Sequence, residues 1–515
     1  MRRTLIWVPL LILVLACQAL ASLTIPPTQP ASPTSSPAIT ATAFPSDSPT
    51  EDLPPTAVPS SVSTGVPMPG FTVRFHPDGS LYSGDQVSLE VIAPPGVDVA
   101  QKKVLVEAPG NPPADLGSAD FGSFGIGGRS QATMTWAWDT SGLAPGDFVL
   151  DFQVLPEGPS WSTTVNLHPA KDVPPPEPQA AWETVESECC VVSYITGTEA
   201  ARDIEELLEI ADEQGRSTVS QMGIEFSDQI PVTLVSRVVG HGGFAANEIY
   251  VSYLDRNYAG NDFSQVLHHE MIHLLDGRLG GELRPSILVE GLAVYLSGGH
   301  FKKEPLVSRM AALVKMGRYI PLARLADSFY TSQHEIGYLE GAALVKYLVD
   351  RFGWEAFDEF YRDIEDQPSG KQSDALDVAL QDHFSLSLNE LEQRFLTALN
   401  RQQTNPDMYD DLRLTIEYYD TVRRYQQLLD PSAYFLTAWL PDGEQMRQRG
   451  IVADYLRHPN GPDNQEIETL LIQADRDLRA GDYSESEQTL ITINRLLDSF
   501  EASDLEIALA NGFLH

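Results

Sequence analysis

One run of the chain, residues 262–276, most constrains how the 515 residues can fold. Asp262 and Gln265 have the spacing of a capping box, which predicts that a helix begins there. His269 and His273 are then four residues apart, so both imidazoles lie on one face of the helix, one turn apart. Two imidazoles at this spacing can bind one metal ion at about 2.0–2.1 Å each. The run therefore predicts a helix that carries two ligands of a metal site.

The remaining parts of such a site can be sought nearby. Glu270 follows the first histidine and is placed to hold a water molecule rather than the metal. Catalytic zinc needs three protein ligands and one open position for that water. Pro285 opens an apolar helical run in which Glu290 is the one charged residue, and a lone carboxylate among aliphatic side chains is costly unless it is paired or bound to metal. We therefore predict a Zn²⁺ site with ligands His269, His273 and Glu290.

The length and the local patterns predict a multidomain chain. Short alternating runs separated by Gly and Pro turns occupy residues 69–170 and predict a β-sandwich, in which Met134, Trp136 and Trp138 share one face. A Pro-rich linker at 171–181 follows. Residues 182–404 have an α+β order, with a small sheet first, predicted from strands at 190–195, 231–236 and 249–253, and a helical half after it. Residues 405–515 are predicted to be a helical appendage, with helices at 465–479 and 484–499.

The N-terminus predicts export. Residues 1–21 contain a basic start and a short apolar segment, as in a signal peptide. A lipobox that ends at Cys17 competes with an ordinary cleavage site after Ala21, and we favour the lipoprotein. Residues 22–68 are rich in Pro, Ser and Thr, and this composition predicts an extended tether that lifts the later domains from the cell envelope.

The charge narrows the range of partners. Lys plus Arg number 34 and Asp plus Glu number 72, which gives a net charge of −38. Such a surface repels nucleic-acid phosphates and anionic lipid headgroups. We expect no nucleic-acid partner, and membrane contact only through a lipid anchor at Cys17.

Cys189 and Cys190 are neighbours in an apolar run that reads as a strand. Vicinal disulfides are rare, whereas buried thiols are common in protein cores. We expect both to be free thiols in the core.

Two stretches carry a resemblance to a known family. The HEMIH run 269–273 with 289–295 (VEGLAVY) resembles the gluzincins, the peptidase MA-like superfamily that includes aminopeptidase N and thermolysin. The stretch 337–348 (GYLEGAALVKYL) with the following G-W-x-x-F segment resembles the same domains, and together the likeness covers about 182–400. Separately, 141–147 (SGLAPGD) and the strand after it resemble the last hairpin of bacterial Ig-like modules.

The gluzincin resemblance implies a zincin-like fold, a zinc metallopeptidase activity and a peptide or protein substrate. It implies Glu270 as the general base and Tyr338 as the oxyanion donor, with Tyr330 and His334 as rivals for the donor role. Val294 stands where thermolysin-like members carry an Asp that supports a ligand His, so we expect Asp276 to take that role. An edge strand at 240–245 would hold the extended peptide, and the alternative is that this glycine-rich segment is a flexible loop.

Two other functions remain open at this point. The chain could be a surface binding or adhesion protein in which the zinc domain is structural or inactive, although such a scaffold would not need Glu270. It could also be a zinc hydrolase that acts on a non-peptide amide, such as cell-wall material.

Overall fold

The computed structural model describes residues 70–510, apart from 95, 109–113, 125–128, 240–241, 301, 432 and 434–442. The predicted signal peptide at 1–21, with Cys17, and the predicted tether at 22–68 lie outside the described residues. Within the described ranges, no helix is both long and apolar enough to cross a bilayer.

The first described region consists of two sheets that share one hydrophobic core. One sheet has the order β1-β3-β7-β6 and the other β2-β9-β8-β4-β5. Leu89 of the first sheet and Val106 of the second belong to the same buried cluster, so the two sheets pack face to face as in a β-sandwich. The Ig-like assignment stays a prediction. The strands are β1 (Thr72–His76), β2 (Leu81–Tyr82), β3 (Gln86–Ile92), β4 (Lys103–Ala108), β5 (Ala114–Asp120), β6 (Gly122–Phe124), β7 (Arg129–Asp139), β8 (Gly146–Leu155) and β9 (Ser160–His168).

Trp136 departs from the predicted pattern. Met134 and Trp138 enter the sandwich core, but Trp136 packs with Ile195 and Tyr455 in a different cluster. The register of β3 and β7 shifts between Val87 and Leu89, and Trp136 has a φ of 47°. A bulge of this kind turns one side chain to the other face. The prediction that the three side chains share a face was wrong, because strict alternation ignores bulges.

A third sheet, of five strands, follows the linker, in the order β10-β11-β12-β14-β13. The strands are β10 (Trp182–Glu186), β11 (Cys190–Ile195), β12 (Ile230–Val235), β13 (Gly243–Ala245) and β14 (Ile249–Ser252). β11, β12 and β14 are parallel, whereas β10 and β13 pair antiparallel at the two edges. The strand predicted at 190–195 is confirmed, and those near 231–236 and 249–253 are confirmed to within one residue. β13 lies at one edge of this sheet, beside the helix that carries His269 and His273.

Most of the remaining chain is helical. The helices are α1 (Glu199–Arg202), α2 (Ile204–Met222), α3 (Phe263–Leu279), α4 (Ser286–Ser297), α5 (Leu306–Lys315), α6 (Leu322–Asp327), α7 (His334–Phe352), α8 (Trp354–Arg362), α9 (Gln372–Phe384), α10 (Leu388–Asn400), α11 (Pro406–Leu429), α12 (Gly443–Arg449), α13 (Ala453–Leu456), α14 (Pro462–Ala480) and α15 (Tyr483–Ala510). The helices predicted at 465–479 and 484–499 correspond to α14 and α15. A sheet followed by helices agrees with the predicted α+β order.

The C-terminal helices pack into the rest of the molecule. Leu412 and Ile416 of α11 belong to the large core formed by α4, α5 and α7. Further along α11, Tyr418 donates a hydrogen bond to the carbonyl of Tyr258 at 2.7 Å. α12 and α13 cover the third sheet, where Met446 packs with Tyr250. Residues after 404 therefore complete the core beside the site.

Cys189 and Cys190 form a disulfide. The expectation of two free thiols was wrong. Cys190 is fully buried as predicted, but Cys189 lies in the turn before β11, where its amide donates to Asp212 at 2.8 Å. The turn lets adjacent side chains meet, whereas two successive residues of a regular strand would point to opposite faces.

Candidate active site

The helix α3 begins where the sequence predicted. The carboxylate of Asp262 accepts from the amide of Gln265 at 3.1 Å, which is one half of the capping box. The other half does not form, because the side chain of Gln265 donates instead to the carbonyl of Gly299. The cap therefore also fastens a loop that follows α4 to the start of the metal-site helix.

Three predicted ligand atoms converge between α3 and α4. Nε2 of His269 lies 3.0 Å from Nε2 of His273, and Oε2 of Glu290 lies 3.3 Å from each of them. Ligands about 2.0–2.1 Å from a tetrahedral ion are separated by about 3.3 Å, so this triangle fits zinc without rearrangement. The three side chains are 9–17% exposed, so they are largely buried.

The electrostatics of this triangle favour a bound cation. Burial, and next the neighbouring His273, lower the pKa of His269 to about 4, so this ring is neutral and free to act as a ligand. Burial opposes the charged form of His273, but the carboxylate of Glu290 outweighs it and raises the pKa to about 9. The pKa of Glu290 is well below its usual range because the two imidazoles outweigh its burial. The ionised carboxylate of Glu290 thus stabilises a proton on His273. A divalent ion could replace that proton at the centre of the three side chains.

Glu270 lies beside this triangle and faces the edge strand. It is 7% exposed, and burial raises its pKa to about 7. A Cβ added to Gly243 of β13 would lie 2.9 Å from Oε1 of Glu270, and the amide of Ala245 bonds to the same carboxylate. Only glycine lets the strand approach the acid this closely. A peptide paired to β13 would therefore pass next to Glu270.

The predicted oxyanion donors take different positions. The hydroxyl of Tyr330 donates to Oε1 of Glu290 at 2.7 Å, so it holds a predicted ligand. Tyr338 lies with its ring centroid 6.2 Å from that of His269 and 4.4 Å from that of His334. Burial raises the pKa of Tyr338 well above its usual value, so its hydroxyl keeps its proton. Tyr338 is thus a neutral donor next to the triangle.

Asp276 does not support a ligand histidine. Its carboxylate accepts from Tyr361 at 2.9 Å and pairs with Arg284 and Arg362 at 3.1 and 2.7 Å. Among the described residues, Nδ1 of His273 has no hydrogen-bond partner. The prediction for Asp276 was wrong, because the two arginines and the tyrosine come from later parts of the chain that position on α3 cannot reveal.

From the sequence alone His300 reads as a structural or exposed residue, but it lies against the site. Its ring centroid is 4.2 Å from that of Tyr338 and 6.3 Å from that of His269. Nδ1 of His300 contacts the carboxylate of Glu335, which is 3% exposed. Two features of the sequence could have pointed to this position of His300. They are the two glycines before His300 and the acidic residue in the buried first turn of α7.

Comparisons with known proteins complete the description. No family model and no curated protein matches the chain. Among solved structures, a variant of the M1 zinc metallopeptidase from Deinococcus radiodurans is 14% identical with a TM-score of 0.29, over 62% of this chain and 90% of its own. An aminopeptidase N family protein from Idiomarina loihiensis is 11% identical with a TM-score of 0.28, over 66% of this chain and 78% of its own. The first is described as a zinc metallopeptidase and the second as an aminopeptidase N family protein, and TM-scores below 0.5 do not establish a shared fold.

Proposed function

We propose that this chain is a zinc-dependent peptidase that hydrolyses peptide bonds outside the cytoplasm. The triangle of His269, His273 and Glu290 carries this proposal, because its edges of 3.0–3.3 Å match those expected around tetrahedral zinc. A structural zinc site would need a fourth protein ligand and no neighbouring base. Glu270, buried at the edge of the triangle, supports a hydrolytic role.

The residues of the chain divide the work of hydrolysis. When bound, zinc supplies a Lewis acid that acidifies water and polarises a carbonyl group. Glu270, with a pKa of about 7, takes the proton of the attacking water and passes it to the leaving amine. Tyr338 is the proposed donor to the developing oxyanion, because Tyr330 already donates to Glu290.

The substrate is proposed to bind as an extended peptide along β13. In the described part of the sheet, β13 pairs with β14 on one side and its other edge is open to a further strand. Main-chain hydrogen bonds to such an edge hold peptides of many sequences, so they fit a peptide or protein substrate. The export signal, with a lipid anchor at Cys17, is the basis for the proposed location at the cell surface.

Replacing the base tests this proposal. We expect the zinc-loaded protein to cleave members of a diverse peptide library, read by mass spectrometry. Glu270→Gln should lower the cleavage rate by on the order of 10²–10⁴-fold or more, because the amide cannot accept the proton. The variant should still bind zinc, because Glu270 is not one of the proposed ligands.

Glu282→Gln is the matched control, since Glu282 is an exposed acid in the loop before α4. It should cleave at the wild-type rate. Equal cleavage by wild type and Glu270→Gln would refute the role of the base, and loss of zinc in Glu270→Gln would make this residue structural.

A further inference from the structure

A second group of metal-binding side chains lies next to the first. One ligand atom from each of His300, His334 and Glu335 lies within 4.8 Å of the other two. The ring centroids of His300 and His334 are 4.6 Å apart with an interplanar angle of 69°. In the first triangle, His269 and His273 have the same centroid separation of 4.6 Å at 88°. The two clusters share no residue.

The loop that carries His300 is built for this position. Gly298 has a φ of 84° and ends α4, and Gly299 has a φ of 154°. A Cβ on Gly299 would lie 2.0 Å from the carbonyl oxygen of Lys302, so only glycine can make this turn. The carbonyl of Gly299 also accepts from Ser297 at 3.1 Å and from the Gln265 side chain. These contacts hold His300 toward the first turn of α7.

The other two members come from α7. Gln333 caps this helix by accepting from the amide of Ile336 at 2.8 Å, which fixes the first turn. Glu335 in that turn is buried, and a buried carboxylate needs a cation or several donors. Glu335 contacts His300, and a nitrogen of His334 lies within 4.8 Å of the ligand atoms of both residues. Three side chains that can bind metal therefore converge at one place.

The surroundings enclose this cluster. Tyr419 of α11 has its ring centroid 6.0 Å from that of His300 and 5.5 Å from that of His334. Tyr338 covers another side, at 4.2 and 4.4 Å from the same two rings. One side of the cluster is therefore closed by α11, and the tyrosine next to the first triangle closes another.

We propose that His300, His334 and Glu335 bind a second divalent transition-metal ion, of the type of Zn²⁺. Two imidazoles and one carboxylate are the donor set that zinc accepts, and they exclude Ca²⁺ and Mg²⁺, which prefer oxygen ligands. The three atoms must close from within 4.8 Å to about 3.3 Å, a change that side-chain rotation can supply. The ion would join the loop after α4 to the start of α7 and so fix Tyr338, which lies one turn after His334.

Zinc content measures this site independently of any activity. The full chain is treated with a chelator, dialysed against Zn²⁺ and analysed for zinc per mole of protein. We expect two zinc ions per chain in wild type, one in Glu335→Gln and one in His273→Ala. The combination of Glu335→Gln and His273→Ala should bind none. Glu335→Gln keeps the size of the side chain, and circular dichroism checks that the fold is retained.

His383→Ala is the matched control, because His383 is a partly buried histidine paired with Asp363 outside both clusters. It should keep two zinc ions. One zinc ion in wild type, retained in Glu335→Gln and lost in His273→Ala, would overturn the second site and leave a hydrogen-bonded His300–Glu335 pair. Zinc lost from Glu335→Gln but unchanged in His273→Ala would instead contradict the first site.

Discussion

At the residue scale, Glu290 joins both proposed ligand histidines to Tyr330. One carboxylate oxygen lies 3.3 Å from both proposed ligand histidines, and the other accepts from Tyr330. This hydrogen bond orients the carboxylate, as outer partners of metal ligands commonly do. A zinc ion held by Glu290 would therefore depend on Tyr330 as well.

Removing that hydroxyl should weaken zinc binding. We expect Tyr330→Phe to raise the zinc dissociation constant of the first site about 10–100-fold, the usual effect of losing an outer-shell partner. Competition with a chromophoric chelator measures it. Tyr319→Phe is the control, because the hydroxyl of Tyr319 bonds to Glu392 away from the triangle. An unchanged zinc affinity in Tyr330→Phe would show that the hydrogen bond does not hold the ligand.

Local spacing predicted the residues whose geometry is local. His269 and His273 are fixed relative to each other by one turn of helix, and Glu290 stands out as the single acid of an apolar helix. The roles of Asp276, Tyr330 and His300 depend on distant partners: Arg362 is 86 residues from Asp276, Glu290 is 40 from Tyr330 and Glu335 is 35 from His300. No pattern along one element carries such information.

At the scale of elements, the crossing of α4 and α7 determines how Glu290 on one helix and Tyr338 on the other lie relative to each other. A Cβ on Gly291 would lie 2.5 Å from the carbonyl oxygen of Gly341, and one on Gly341 would lie 2.8 Å from that of Ile287. Two glycines at the contact let the helix backbones approach closely. The ligand helix and the tyrosine helix are therefore held together by backbone contact.

A methyl group at this crossing should force the helices apart. We expect Gly291→Ala to lower the free energy of unfolding by about 1–3 kcal/mol or more, the cost of overpacking a core. Urea unfolding of the metal-free protein measures it without a contribution from zinc. Gly277→Ala in α3 is the control, since its Cβ would meet only the Arg284 guanidinium at an ordinary contact distance of 3.5 Å, and it should be neutral or stabilising by about 0.5–1 kcal/mol. Equal stability of both variants would disprove the tight crossing.

The elements were easier to predict than their packing. Strands and helices follow from alternation and helical spacing, so 190–195, 249–253 and 262–276 were found close to their observed bounds. The bulge at Trp136 and the turn that joins Cys189 to Cys190 interrupt regular patterns. Both are set by contacts with distant segments, for example Trp136 Nε1 with Asp454 at 3.3 Å.

At the scale of the whole molecule, the segment 443–457 joins the sandwich to the third sheet. Arg457 makes two hydrogen bonds to Asp85 of the sandwich, at 2.6 and 2.9 Å, and pairs with Glu177 of the linker. Its guanidinium also lies 4.7 Å from the ring centroid of Tyr82. All of these charged groups are buried or nearly so. The sandwich is therefore fixed to the body by the C-terminal region.

Breaking this junction should cost stability. We expect Arg457→Met to lower the free energy of unfolding by about 3–5 kcal/mol, because Asp85 and Glu177 would stay buried without their cation. Denaturant unfolding measures the change, and limited proteolysis should show earlier cleavage near 171–181. Arg476→Met, at an exposed position of α14, should have little effect. An unaltered unfolding midpoint in Arg457→Met would mean that the junction does not depend on this ion pair.

The central claim is that His269, His273 and Glu290 bind zinc. Anomalous diffraction at the zinc edge, from crystals of the protein grown with Zn²⁺, tests it most directly. The account predicts a peak about 2.0–2.2 Å from Nε2 of both histidines and from a carboxylate oxygen of Glu290. A zinc-supplied crystal with no peak at this triangle would contradict the claim, and with it the proposed peptidase.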